Sequence, residues 1–231
     1  MAKDTTGRLH VQVKTGGKRK LSSKLWLERQ LNDPYVTQAK KDGFRSRAAY
    51  KLIEIDDKHH LLKPGMTVVD LGAAPGGWAQ IAAERVKARD GKGRVIGIDL
   101  LEVEPIAGVE LRVMDFHDEG APAALREWLD GQADGVMSDM AANATGHRKT
   151  DHLRIVGLAE LAVDFACEVL APDGFFLAKV LQGGTEGELL ARIKRDFAVV
   201  RHLKPKASRA DSAEMYVLAM GFRREREAAA N

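Results

Sequence analysis

The chain has only one cysteine among its 231 residues, and it has no hydrophobic run long enough to cross a membrane. A single cysteine excludes both a disulfide framework and a site built from several thiolates. Cys167 lies in an apolar helical pattern, which favours a buried structural thiol over a nucleophile. The N-terminus also lacks the apolar core of a signal peptide, so we expect a cytoplasmic protein without membrane association.

Charge is distributed unevenly along the chain. Residues 1–63 contain 15 lysines and arginines against seven acidic residues, whereas the remainder is acidic overall. Because lysine and arginine release condensed counterions when they bind phosphates, this asymmetry predicts a nucleic acid held by the N-terminal region. The alternative is a solvated basic face that only aids solubility. The seven histidines do not recur at the spacing of a metal site, so we expect no metal.

The composition divides the chain into one domain and two tails. Residues 1–21 are basic and poor in apolar anchors, which predicts a disordered tail. Residues 22–224 form a single domain, in which basic helices over residues 22–62 precede an alternating α/β core over residues 63–224. Residues 225–231 are a C-terminal tail. We expect the protein to be a monomer.

Three helices are predicted before the core. Ser22 and Ser23 are able to cap the first, and Asp33 followed by Pro34 is typical of the start of the second. The third extends from Ser46 to about His59. Its periodicity predicts that one set of residues faces the core, namely Ala49, Leu52, Ile53 and Ile55. A second set lies on the other faces, namely Arg45, Arg47 and Lys51.

The core alternates short apolar strands with helices. Crossover connections of this kind require a mainly parallel sheet with helices on both faces, which is a doubly wound α/β fold. The last two strands have only a loop between them, so we expect an antiparallel C-terminal hairpin. The seven predicted strands are Met66–Asp70, Arg94–Asp99, Val109–Met114, Gly135–Ser138, Gly174–Val180, Ala198–Leu203 and Glu214–Met220. The predicted core helices are Gly77–Lys87, Ala121–Leu129 and His152–Leu170.

The segment from Val68 to Trp78, VVDLGAAPGGW, joins the first predicted strand to a helix. In a doubly wound sheet a ligand meets this turn, where the helix N-terminus faces the carboxyl ends of the strands. Gly72, Gly76 and Gly77 have the spacing G-x-x-x-G-G, which is neither the dinucleotide pattern G-x-G-x-x-G nor a phosphate-binding P-loop. The spacing therefore counts against NAD and indicates a nucleotide-like ligand of another class.

Three successive strands end in an aspartate. Asp70 ends the first, Asp99 ends the second, where it can accept hydrogen bonds from ribose hydroxyls, and Asp115 follows the third, where it can accept an adenine amine. Each of them alone could equally be a helix cap or a turn former. Together they would repel a pyrophosphate but suit a sulfonium cation, which favours S-adenosylmethionine as the cofactor.

Five motifs give the chain a specific resemblance. RSRAAYKL at 45–52, DLGAAPGGW at 70–78, SDMAAN at 138–143, AKVLQG at 178–183 and SAEMY at 212–216 resemble the FtsJ/RrmJ family of bacterial ribosomal RNA uridine 2′-O-methyltransferases. The similarity extends from about Ser22 to Gly221. Two features depart from the family pattern, since Ala142 stands where the family has proline and the segment before Ser22 is longer.

The resemblance implies a Rossmann-like methyltransferase fold with S-adenosylmethionine as methyl donor. It implies a substrate too, a uridine in the A loop of 23S rRNA, methylated in the assembled 50S ribosomal subunit. The implied catalytic tetrad is Lys51, Asp139, Lys179 and Glu214. The implied cofactor contacts are Gly76, Trp78, Asp99, Asp115 and Asp139.

The role of Lys179 is open at this stage. A sulfonium already activates the methyl group for in-line displacement, so the enzyme needs only to orient the 2′-hydroxyl and take its proton. Lys179 is the general base if burial and a nearby cation such as Lys51 favour its neutral form. If Asp139 and Glu214 favour the charged form instead, Lys179 is a cation that steers the developing alkoxide.

Two hypotheses from other classes compete with this one. A non-catalytic RNA-binding ribosome assembly factor would keep the fold and the basic face but lose the tetrad, whose residue types are all present. A nicotinamide-dependent oxidoreductase would need the dinucleotide glycine spacing, which is missing, although Asp99 lies at the distance expected of its ribose acid. The basic residues expected to contact RNA phosphates, without reading bases, are Lys40, Lys41, Arg45 and Arg47.

Overall fold

A computed structural model describes residues 11–13, 21–141, 147–182, 187–209 and 212–223 of the chain. The first helix begins at Leu21, so Ser22 and Ser23 lie within it and not at the predicted capping position. The predictions for the C-terminal tail and for Ala142 lie outside the described residues, as does most of the predicted N-terminal tail. The short described part of that tail is bound to the first helix. The Val11 N–H donates to Asn32 Oδ1 at 2.8 Å, and the Val13 N–H donates to Glu28 Oε1 at 3.2 Å.

The described residues form seven α-helices and seven β-strands. The helices are α1 (Leu21–Asn32), α2 (Pro34–Lys41), α3 (Ala49–His59), α4 (Gly77–Arg85), α5 (Ala121–Leu129), α6 (Arg148–Val169) and α7 (Glu188–Asp196). The strands are β1 (Thr67–Leu71), β2 (Arg94–Asp99), β3 (Val109–Val113), β4 (Ala133–Ser138), β5 (Leu170–Leu181), β6 (Phe197–Leu203) and β7 (Glu214–Phe222).

The strands form one mixed sheet in the order β3-β2-β1-β4-β5-β7-β6. Strands β1 to β5 are parallel to one another, whereas β7 is antiparallel to both β5 and β6. The predicted seven-stranded sheet with an antiparallel C-terminal hairpin is therefore confirmed. The chain connections reverse direction between β1 and β4, and a crevice opens at the carboxyl ends of strands at such a switch point.

Apolar layers cover both faces of the sheet. On one face, α3 and α4 contribute Leu52 and Trp78 to a core that also contains Val68 of β1. On the other face, α5 and α6 contribute Leu125 and Phe165 to a core that contains the next residue of β1, Val69. Adjacent strand residues face opposite sides, so burial of both explains why the strands have continuous apolar runs. No helix within the described ranges is long and apolar enough to cross a membrane.

Several details differ from the predictions. Helix α6 begins at Arg148 and not at His152, and β5 begins at Leu170 and not at Gly174. Helix α7 was not predicted, because its amphipathic pattern is short and buries only Leu189 and Ile193. Helix α3 begins at Ala49 because residues 46–48 form a tighter turn, in which the Ala49 N–H donates to the carbonyl of Ser46, three residues earlier. Cys167 lies in α6 as predicted but is only partly buried.

Asp33 connects the N-terminal helices to the sheet. Its Oδ1 accepts the Tyr35 N–H at 3.0 Å and caps α2, as the Asp-Pro pair predicted. Its Oδ2 lies 2.6 Å from Arg47 Nη1 and 3.1 Å from Arg209 Nη2. The Arg47 side chain also donates to the carbonyl of Ala207 in the loop between β6 and β7. These contacts hold α3 beside the start of β7.

Candidate active site

Four charged side chains from four elements meet beside the carboxyl ends of β4 and β5. Lys51 comes from α3, Asp139 directly follows β4, Lys179 lies near the end of β5, and Glu214 begins β7. Because β7 runs antiparallel to β5, its first residue pairs with Leu181, the last residue of β5. The structure thus brings together all four residues of the predicted tetrad.

The four side chains form two ion pairs. Lys51 Nζ lies 2.5 Å from Glu214 Oε1, and Lys179 Nζ lies 3.0 Å from Asp139 Oδ1. Lys179 Nζ also donates to the backbone carbonyl of Asp139 at 2.6 Å. Only 9% of the Lys179 side chain and 10% of the Lys51 side chain are exposed, so solvent screens both pairs weakly. Both the ion pair and the hydrogen bond of Lys179 Nζ are with oxygens of Asp139.

Tyr216 connects the two ion pairs, and it is a site residue that the sequence predictions missed. Its hydroxyl oxygen lies 3.0 Å from Lys51 Nζ, 3.0 Å from Asp139 Oδ1 and 3.1 Å from Glu214 Oε1. A phenol has one proton, so it donates to one carboxylate at a time while accepting from Lys51. The available signal was its position two residues after Glu214, because alternate strand residues share a face.

The charges of the site are set by burial and by these neighbours. Burial acts to raise the pKa of Glu214, but the Lys51 ammonium, together with Lys179 and the Tyr216 hydroxyl, outweighs it and holds that pKa below its usual value. Burial raises the pKa of Tyr216 well above its ordinary range, and the Asp139 and Glu214 carboxylates add to the effect. The site therefore presents a neutral phenol between an ionised carboxylate and an ammonium.

A cavity of about 230 Å³ lies next to this cluster, at the switch point of the sheet. Apart from two carboxylates, Asp99 and Asp115, its wall is mostly apolar. Met140 and Ala141 line it and directly follow Asp139, so the cavity and the tetrad are adjacent. The full lining is Gly72, Ile98, Asp99, Leu100, Leu101, Met114, Asp115, Phe116, His117, Met140, Ala141 and Leu158.

Both cavity carboxylates are oriented by backbone N–H groups. Asp99 Oδ2 accepts the Ala74 N–H at 2.9 Å, and its Oδ1 accepts the Leu101 N–H at 2.8 Å. Asp115 Oδ1 accepts the His117 N–H at 2.9 Å. Each carboxylate oxygen has two lone pairs, so both side chains are fixed in place while they retain acceptor capacity for a ligand. Apolar walls with two such acceptors fit the adenosine part of S-adenosylmethionine.

The glycine-rich turn has a steric reason for its composition. Gly72 has a φ of +83°, and a methyl group there would lie 2.8 Å from Met140 Cγ. Gly76 has a φ of +108° and precedes the first residue of α4. Neither Gly76 nor Trp78 lines the cavity. Trp78 is buried, its Nε1 donates to the carbonyl of Ala48 at 2.9 Å, and its ring lies 5.6 Å from that of Tyr216.

Asp70, the first of the three strand-end acids, is completely buried beneath the site. Neither carboxylate oxygen has a hydrogen-bond partner among the described residues. Burial raises the pKa of Asp70 to about 8, and the negative charges of Asp139 and Asp99 contribute. The nearby Ala79 N–H acts in the opposite direction, but its geometry falls short of a hydrogen bond. Asp70 is therefore mainly neutral at pH 7.

The basic residues expected to contact RNA fall into two groups. Arg45 donates to the carbonyls of Glu104 and Pro105, and Arg47 is paired with Asp33, so both guanidinium groups have partners within the protein. Lys40 and Lys41 lie exposed on α2. A second cavity, about 330 Å³ and strongly polar, lies beside the tetrad and is lined by Arg29, Gln30, Arg47, Lys51, Arg209, Ser212 and Glu214. Across the part of the chain that is described, no group of three or more His, Cys, Asp or Glu side chains is arranged to hold a metal.

Comparison with known proteins adds an independent line of evidence. The model of the FtsJ-like methyltransferase family matches residues 44–222. A protein of Bradyrhizobium sp. (strain BTAi1) named ribosomal RNA large subunit methyltransferase E is 75% identical over 223 residues, which cover 96% of each chain. A protein of Nitrobacter winogradskyi with the same name is 70% identical over 223 residues, which cover 96% of this chain and 97% of that protein.

The fold also has a counterpart among solved structures. A crystal structure of a Plasmodium falciparum protein described as a ribosomal RNA methyltransferase superposes with a TM-score of 0.68 and 30% sequence identity. The match covers 78% of this chain and 98% of that one. The shared architecture is the Rossmann-like methyltransferase fold that the strand order predicts.

Proposed function

The chain belongs to the FtsJ-like methyltransferase family, and from this premise we propose that it methylates the ribose 2′-hydroxyl of a uridine in large-subunit ribosomal RNA, with S-adenosylmethionine as donor. The chain matches relatives that are named ribosomal RNA large subunit methyltransferase E, and the match covers nearly their whole length. The observation that carries the proposal is the meeting of Lys51, Asp139, Lys179 and Glu214 next to a cavity with two strand-end carboxylates.

Asp99 and Asp115 are the proposed recognition groups for the donor. Asp99 would accept hydrogen bonds from the ribose hydroxyls and Asp115 from the adenine amine, each with lone pairs that the backbone N–H groups leave free. S-adenosylmethionine supplies a methyl group that its sulfonium has already activated. The apolar wall would contact the apolar parts of the bound donor. Gly76, Trp78 and Asp139 stay proposed donor contacts, although Gly76 and Trp78 lie outside the lining of the cavity.

Lys179 is proposed to act as an ammonium that orients the acceptor. Lys179 Nζ donates to the Asp139 carbonyl and lies 3.0 Å from the Asp139 carboxylate, so the side chain is held beside both acceptors. An N–H of Lys179 would donate to the 2′-hydroxyl oxygen. This hydrogen bond would become stronger as negative charge develops on that oxygen. The hydroxyl proton would pass to the Asp139 carboxylate as the oxygen takes the methyl group from the donor, whose C–S bond breaks to leave a neutral thioether. A neutral Lys179 acting as the base is the alternative.

The pH dependence of the methylation rate distinguishes these two roles. If the ammonium is required, the rate of a single turnover falls at alkaline pH. If the neutral amine is the base, the rate rises over the same range. A rate that rises throughout the alkaline range would overturn the cation role of Lys179.

RNA is proposed to approach across the N-terminal helices. Lys40 and Lys41 are exposed there, and Arg29 lines the polar cavity beside the tetrad. These side chains would contact phosphates and fix the register of the RNA without reading its bases. We further propose that residues 22–224 act as one domain, as a monomer in the cytoplasm, on the 23S rRNA of the assembled 50S subunit. The A-loop uridine is the proposed target.

A methyl-transfer assay tests the function directly. The protein is incubated with labelled S-adenosylmethionine and 50S subunits that lack the modification, and the labelled nucleotide is mapped. We expect a single 2′-O-methyluridine with the wild-type protein and no labelled product with Lys179→Ala. The exposed Lys194 of α7 supplies a matched control, Lys194→Ala, which should retain activity. RNA binding without methyl transfer by the wild-type protein would support the assembly-factor hypothesis instead.

A further inference from the structure

The segment before α3 crosses the first turns of α4 and is fastened to it at three points. The Arg45 N–H donates to Gln80 Oε1 at 3.2 Å, and Gln80 Nε2 donates to the Gly43 carbonyl at 3.0 Å. Trp78 Nε1 donates to the Ala48 carbonyl at 2.9 Å. The backbone at Arg45 is therefore held in place by α4, independently of its side chain.

The Arg45 guanidinium reaches from this segment to the loop that follows β2. Its Nη1 donates to the Glu104 carbonyl and its Nη2 to the Pro105 carbonyl, both at 2.7 Å. The planar fork of a guanidinium matches two consecutive carbonyls, whereas a lysine ammonium at the same place has no such fork. These two hydrogen bonds use two of the five N–H groups of the guanidinium and fix the orientation of its plane against the loop.

The loop held by Arg45, residues 100–106, forms part of the wall of the methyl-donor cavity. Leu100 and Leu101 line the cavity, yet they are 60% and 67% exposed, so packing alone anchors this end of the loop weakly. Ile106 is buried at the other end. A methyl group at Gly76 would lie 2.7 Å from Ile106 Cδ1 and 2.9 Å from Arg45 Cδ. Glycine at this position thus makes room for the side chains that hold the loop.

We propose that Arg45 is a positioning residue for the methyl donor. It acts by holding loop 100–106 against the glycine-rich turn. The inference rests on the proposed use of S-adenosylmethionine. The loop also contains the N–H of Leu101 that orients Asp99, so a displaced loop loses an apolar wall and the alignment of a carboxylate together. The Arg45 guanidinium donates to carbonyls within the protein, whereas the Lys41 side chain is exposed on α2.

Kinetics of the full-length protein with Arg45→Ala, Arg45→Lys and Gln80→Ala test the proposal. We expect the KM for S-adenosylmethionine to rise roughly tenfold in Arg45→Ala, with kcat at saturating donor within about twofold, because a preformed wall contributes to binding rather than to the chemical step. Arg45→Lys should lie between wild type and Arg45→Ala although it retains the charge. Gln80→Ala, which removes no charge, should change the donor KM in the same direction.

Amide hydrogen exchange separates positioning from a general loss of stability. In the ligand-free Arg45 variants, exchange should accelerate at residues 100–106 while the amides of β1 and β4 keep their protection. Lys41→Ala is the matched control and should weaken RNA binding without changing the donor KM. The proposal is overturned if Arg45→Ala lowers RNA affinity and its salt dependence but leaves the donor KM and the exchange of the loop unchanged. Failure of the wild-type protein to bind S-adenosylmethionine would overturn the proposed donor, and exchange at residues 100–106 would still decide whether Arg45 holds the loop.

Discussion

Replacing Asp70 with asparagine should change how the stability of the ligand-free protein depends on pH. Burial lifts the pKa of Asp70 from 3.8 to about 8, so the folded protein keeps this proton over a pH range in which the unfolded chain has lost it. Stability must therefore fall as the pH rises between these two values. Asparagine has nearly the same shape, cannot ionise and resembles the neutral carboxylic acid.

The magnitude follows from the size of the pKa shift. Each unit of difference between the folded and unfolded pKa corresponds to about 1.4 kcal/mol, so Asp70 alone should reduce the free energy of unfolding by about 4 kcal/mol between pH 5 and pH 8. This is a large fraction of the roughly 5–15 kcal/mol that stabilises a typical domain. Asp70→Asn should accordingly be more stable than wild type at pH 8, and the advantage should shrink towards pH 5.

Urea unfolding at a series of pH values between 5 and 8.5 measures this effect. The informative quantity is the difference in the free energy of unfolding between wild type and Asp70→Asn at each pH, because contributions from the other titrating groups cancel in that difference. Asp90→Asn, at an exposed position, controls for the removal of one carboxylate. A difference that stays constant within about 1 kcal/mol from pH 5 to pH 8 would refute the reasoning, since one unit of pKa shift already exceeds that value.

Three further predictions concern the site and its support. Asp99→Asn should raise the donor KM roughly tenfold while kcat changes little, because an amide retains only one acceptor oxygen; equal affinities by isothermal titration would remove Asp99 from donor binding. Tyr216→Phe should lower kcat by about 10- to 100-fold with the fold retained, because the ion pairs lose the hydroxyl between them; single-turnover rates measure this, and an unchanged rate would leave Tyr216 with a packing role alone. Asp33→Asn should destabilise the protein by about 3 kcal/mol, because Arg47 and Arg209 lose their carboxylate; urea unfolding that shows less than about 0.5 kcal/mol would contradict it, since a surface pair costs no more.

Local patterns predicted most of the fold. All seven strands were predicted from apolar segments bounded by turn residues, and β2 was predicted with its observed ends at Arg94 and Asp99. Helix α2 was predicted from the Asp33-Pro34 pair because capping depends on neighbouring residues only. Helix α7 was missed, since a nine-residue helix with two buried apolar positions has too weak a periodicity to be distinguished from a loop.

The individual contacts of the site were less predictable than its members. The motif that contains Tyr216 was identified from the sequence. The position of the Tyr216 hydroxyl between two ion pairs, however, depends on the packing of α3 against β7, and these two elements are far apart in the sequence. Arg45 and Arg47 were expected to contact RNA because they lie in a basic region, yet both bind groups of the protein. A sequence shows which residues are basic but does not show which acceptors lie within reach of them.

The amino-acid sequence by itself determined the alternation of strands and helices, the glycine-rich turn and the residue types at the strand ends, because these depend on periodicity and turn chemistry over a few neighbouring residues. Only the tertiary structure decided which side chains act together. Lys51 meets Glu214 across 163 residues because α3 packs beside β7, and Lys179 lies next to Tyr216 because β5 and β7 pair in one register. Burial then determined the protonation of Asp70 and Tyr216, because the free energy of a charge depends on everything packed around it.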